Sequence, residues 1–154
     1  MEEEALPFDA DCIKAEKIAL RLIARAEQNV AGLTAKLEKR GIDPSITRQV
    51  ISSLQSRELL DDIRYAERWI YAHLKTNKPI SPLWFLVSLE KRGISREICL
   101  AAINKVLNED AEYFLLLKFI EKMNISIKKN VPFRTILKRE GFSPEVINKF
   151  IDSK

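Results

Sequence analysis

A chain of 154 residues, 46% hydrophobic and 31% charged, has the make-up of a soluble, helix-rich protein. No apolar run approaches the roughly 20 residues of a membrane span, and the acidic start MEEEALPFDAD lacks the basic-then-apolar order of a signal peptide, so a cytoplasmic protein is expected. The net charge of +4 is uneven: residues 1–11 hold five acids and no base, which leaves 26 cations against 17 acids, or +9, on residues 12–154. That basic body is either solvated helix surface or an attraction for a polyanion or an acidic protein face.

In chain order, residues 1–11 form an acidic tail. A first helix is predicted over roughly 12–28 (CIKAEKIALRLIARAEQ). Its steps of three and four place Lys14, Lys17, Arg21 and Arg25 on one strip, with Ala15, Ala19, Leu22 and Ala26 opposite. A second helix ends at LEKRGI, residues 37–42. There Lys39 and Arg40 meet the negative end of the helix dipole, and Gly41 takes the left-handed position that stops a helix. Asp43 and Pro44 are a cap and a first helical residue, and they open a third helix striped by Ile46, Val50, Ile51 and Leu54.

A fourth helix is predicted over roughly 61–76. The pair Asp61-Asp62 suits its positive end, and Arg64, Arg68, Tyr71 and Lys75 form a second cationic strip with an aromatic interleaved. NKPISP leads into a fifth helix, which closes on a second LEKRGI at residues 89–94. The sixth helix starts at Ser95 and repeats the buried stripe as Ile98, Ala102, Ile103 and Val106, each displaced by 52. A seventh is predicted over roughly 109–124, NVPF leads into an eighth, and LKREGF at 137–142 turns into a ninth striped by Val146, Phe150 and Ile151. The expectation is all-α: an elongated, curved array of three tandem three-helix repeats at 12–60, 61–108 and 109–154.

The sequence offers little for chemistry. It has one histidine, His73, and two cysteines, Cys12 and Cys99, outside any CxxC; these read as a structural histidine and small buried hydrophobes rather than metal ligands. Three of the four glycines end helices, so no glycine-rich phosphate loop can form. Asp61-Asp62 needs only capping to explain it. Trp84 and Phe85 are either an exposed apolar docking patch or extra core, and core is preferred because large aromatics are usually buried. No enzyme, cofactor or metal is expected. The basic strips are the candidate working surface, because such rows track phosphates and a tyrosine among them can stack on a base.

The segment 19–70 resembles the RecX family of recombinase regulators. The likeness rests on Ala19-Leu20-Arg21-Leu22-Ile23-Ala24, on Leu33, Leu37 and Lys39-Arg40-Gly41, and on Leu59-Leu60-Asp61-Asp62-Ile63-Arg64-Tyr65-Ala66. It continues through Leu89–Ile94 and Leu137–Gly141. The resemblance implies a monomeric modulator, usually an inhibitor, of the RecA recombinase, lying in the groove of the RecA filament on single-stranded DNA and so regulating DNA repair and recombination. The chain departs from the family's charged second helices, having Asn29-Val30-Ala31-Gly32-Leu33 in the first unit and Leu83-Trp84-Phe85-Leu86-Val87-Ser88-Leu89 in the second. The alternative is a helix-turn-helix transcription factor reading duplex DNA through Arg48, Gln49 and Gln55.

Overall fold

The computed structural model describes residues 9–124 and 133–154; the acidic tail up to residue 8 and most of NVPF lie outside the described residues. Among these the chain forms nine helices and no strand: α1 (Ala10–Arg25), α2 (Val30–Lys39), α3 (Pro44–Ser56), α4 (Asp62–Leu74), α5 (Pro82–Lys91), α6 (Arg96–Val106), α7 (Glu109–Met123), α8 (Phe133–Arg139) and α9 (Pro144–Asp152). The all-α, tandemly repeated reading holds.

The repeated hairpins have one construction. Gly41, Gly93 and Gly141 all take positive φ, between 82° and 90°. The next residue's amide then reaches back to a carbonyl five residues earlier: Ile42 to Leu37, Ile94 to Leu89, Phe142 to Leu137. This is the Schellman closure, and it needs a left-handed residue that a Cβ would penalise. Asp43, Ser95 and Ser143 then cap the next helix as predicted. The end of α3 uses the same closure at Glu58, φ 58°, with the Leu59 amide on the Leu54 carbonyl.

Helix ends differ from the sequence reading where side chains intervene. α1 starts earlier because Asp9 accepts from the Cys12 amide at 2.9 Å. It stops at Arg25 because the Gln28 amide group folds back onto the Leu22 and Ala26 carbonyls. α4 stops at Leu74, where the Thr76 hydroxyl donates to the His73 carbonyl.

The chain divides into two compact units, Met1–Tyr65 and Ala66–Lys154. In the first, α1 packs on α3 and α2 around Ala15, Ala19, Leu33, Leu37, Val50, Ile51, Leu54 and Leu60. Alanine at 15 and 19 lets α1 approach α3 closely, since interaxial distance follows side-chain size. In the second, α5 packs on α6 and α7 on α9, with Phe85, Leu89, Leu116, Leu137 and Val146 fully buried. The displaced stripe keeps its register: Val50, Ile51 and Leu54 are buried, and so are Ala102, Ile103 and Val106.

Glu140, at the third hairpin, clasps the start of α5. Its carboxylate accepts from the Ser81 hydroxyl at 2.8 Å and its carbonyl from the Leu83 amide at 2.9 Å. Ser81 is itself the N-cap of α5 and is 1% exposed. Two otherwise orphaned groups at a buried helix start are thereby satisfied.

Candidate functional site

The first cationic row stands as the spacing predicts. Lys14, Lys17, Arg21 and Arg25 are exposed on α1, while Cys12, Ala15 and Ala19 are buried on the other face. None of the four has an acidic partner within 4 Å among the described residues, so their charge is uncompensated at short range. Lys14 also borders a cleft of about 330 Å³ with Asp11, Arg40 and Asp43.

The second row is not uniform. Arg64 is partly buried and occupied: its guanidinium donates to the Glu58 carbonyl at 3.0 Å and lies 3.6 Å from a Glu27 carboxylate oxygen. It braces the turn between α3 and α4 in the first unit. Arg68 and Tyr71 are exposed on α4, and Lys75 lies just past the end of that helix. Arg48 is exposed, whereas Gln49 accepts a hydrogen bond from the Cys12 thiol at 3.2 Å.

The two acids between the rows divide their labour. Asp61 accepts from the Ile63 and Arg64 amides and caps its own helix. Asp62 reaches across the unit to accept from the Val30 amide, the first of α2, at 2.8 Å. Burial pushes the Asp62 carboxyl above its ordinary value; the Val30 hydrogen bond opposes the shift and the Asp61 charge adds to it.

Trp84 and Phe85 part company. Phe85 is fully buried, but Trp84 remains 39% exposed, so the expectation of core holds for the first alone. Trp84 belongs to an aromatic group with Trp69 and His73, and the His73 Nδ1–H donates to the Trp69 carbonyl at 2.8 Å. A basic cleft of about 570 Å³ between α8 and α9, bordered by Arg134, Thr135, Lys138 and Arg139, was also missed by sequence reasoning. The sequence signal for it was the short cationic run of α8, Arg134, Lys138 and Arg139. Among the described residues no three His, Cys, Asp or Glu side chains gather to hold a metal ion. No helix among them is long and apolar enough to cross a membrane.

The fold defines a tandem helical-repeat protein that presents cationic rows. Over 145 residues it is 30% identical to the regulatory protein RecX of Treponema pallidum, in a match that covers 94% of this chain and 88% of that relative. Against the regulatory protein RecX of Halorhodospira halophila the identity is 35% over 94 residues, 61% of this chain and 54% of the relative. The crystal structure of RecX from Lactobacillus salivarius matches with a TM-score of 0.73 at 21% identity, covering 93% of this chain and 96% of that one. No family model matches the sequence. The chain belongs to the RecX family of regulatory proteins.

Proposed function

We propose that this protein acts without catalysis, binding the RecA recombinase filament on single-stranded DNA and restraining its ATP hydrolysis and strand exchange. In this reading three units, residues 12–60, 61–108 and 109–154, are its building blocks, and the protein works as a cytoplasmic monomer. The observation that carries the reading is the identity with a RecX protein over 94% of the chain. The exposed row Lys14, Lys17, Arg21 and Arg25 supports a role for charge, because uncompensated cations at this spacing can follow a phosphate backbone. Arg68, Tyr71 and Lys75 are further proposed contacts in the second unit; Arg64 contributes by bracing the turn that precedes them.

The test is RecA-driven ATP hydrolysis on single-stranded DNA, titrated with this protein. The parent should inhibit, and the double reversal Arg21→Glu with Arg25→Glu should raise the half-inhibiting concentration about tenfold, through lost phosphate contacts and new repulsion. Equal inhibition by the variant would remove the row from the working surface. Sequence-dependent duplex binding that survives moderate salt, with no effect on RecA, would favour the transcription-factor alternative instead.

A further inference from the structure

The second unit holds an aromatic group that neither packing nor the cationic rows explain. Trp69 on α4 and Trp84 on α5 stack with ring centroids 5.3 Å apart and planes 17° apart. His73 lies 3.9 Å from Trp69, Phe85 meets both indoles edge-on, and the Arg92 guanidinium sits 5.1 Å over Trp69. Phe85 is the buried floor. Trp84, with Leu83 and Val87 beside it on α5, stays roughly two-fifths exposed. A large indole left in water but fixed by ring neighbours has little rotamer freedom to lose when something stacks on it.

Charge selects the occupant. From Ala66 to Arg92 the chain carries five cations, Arg68, Lys75, Lys78, Lys91 and Arg92, against two acids. Both acids are engaged, Glu67 by Lys105 at 3.0 Å and Glu90 by Arg96 at 3.2 Å. A flat π surface with the Arg92 guanidinium over its Trp69 backing, in a stretch of net positive charge, complements a flexible polyanion with stackable rings, which is single-stranded nucleic acid. We propose that Trp84, backed by Trp69, is a base-stacking platform for single-stranded DNA, with the cations of the same unit meeting the flanking phosphates. This deepens the RecA-filament reading, on which it rests for the source of the strand.

Trp69 and Trp84 are the only two tryptophans in the chain, so the emission of the intact protein reports on this group alone. Oligothymidylate should quench that emission saturably, whereas inorganic polyphosphate, which has charge and no bases, should not. Trp84→Ala, its fold checked by circular dichroism, should bind oligothymidylate roughly 5- to 100-fold more weakly, with the salt dependence unchanged. Trp84→Phe should recover most of the affinity, and it carries the comparison should the alanine variant not fold. Oligothymidylate binding with unaltered emission, equal quenching by polyphosphate, or parental affinity in Trp84→Ala would each overturn the platform. So would loss of binding to RecA in the absence of DNA, which would make the patch a protein-docking surface. Failure of the platform is separable from failure of the regulator reading. Quenching by oligothymidylate without any effect on RecA sinks only the second, and parental oligothymidylate affinity in Trp84→Ala, with the parent still inhibiting RecA, sinks only the first.

Discussion

Asp61 and Asp62 show what one residue's neighbours in sequence reveal and what they conceal. Two acids at a helix start are legible as caps, and Asp61 is one. That Asp62 serves α2, 32 positions back, has no local signature. The bracing role of Arg64 is hidden for the same reason, since its partner Glu27 lies 37 positions away. The stacking of Trp69 on Trp84 is equally silent in the sequence, because it depends on how α4 meets α5.

Asp62 also has a pH consequence. Its folded pKa lies above its unfolded value, so the folded state holds the proton more tightly and ionisation takes stability away. That loss develops as pH rises through the range between the two values and persists above it. Asp62→Asn keeps an acceptor for the Val30 amide and abolishes the titration. Its stability by urea unfolding should therefore equal or exceed the parent's at pH 7, with the advantage vanishing at pH values below the ordinary carboxylate range. Asp62→Ala, which orphans the amide, should lose about 1 kcal/mol at low pH and less at pH 7, where ionisation already destabilises the parent. Equal losses in the two variants would refute this account.

At the scale of elements the repetition is fully legible. Six identical letters 52 positions apart produce two hairpins with the same closure, and a weaker third copy produces a third. The α3 ending is not legible, because Glu58 occupies a left-handed position where sequence signals lead one to look for glycine or asparagine. Identical grammar also hides different surroundings. A Cβ at Gly41 would meet nothing within 4 Å, whereas at Gly141 it would sit 3.1 Å from the Leu83 nitrogen and 3.2 Å from the Pro82 Cβ. Gly41→Ala should therefore cost about 1–2 kcal/mol from backbone strain alone. Gly141→Ala adds a clash with the start of α5 and should lower the melting temperature at least twice as far. Equal melting shifts would mean that the α5 contact yields freely.

Over the whole molecule the balance of charge is readable from composition, and its address is partly so. The excess of cations on residues 12–154 reaches the surface in the α1 row, where the spacing predicts it, and in the α8–α9 cleft, where it does not. Polyelectrolyte theory makes this measurable. Replacing Lys14, Lys17, Arg21 and Arg25 together by glutamine should flatten the slope of log affinity against log salt for single-stranded DNA by up to about 3. An unchanged slope would place the phosphate contacts elsewhere, with the cleft the next region to neutralise.

The clasp at Glu140 bears on how this protein tolerates trimming. A protease or premature stop that removes the final fifteen residues takes away the two acceptors holding the Ser81 hydroxyl and the Leu83 amide, 59 and 57 positions upstream. Damage at the tail thus reaches beyond α7, which loses its partner α9, to mid-chain and the helix that bears Trp84.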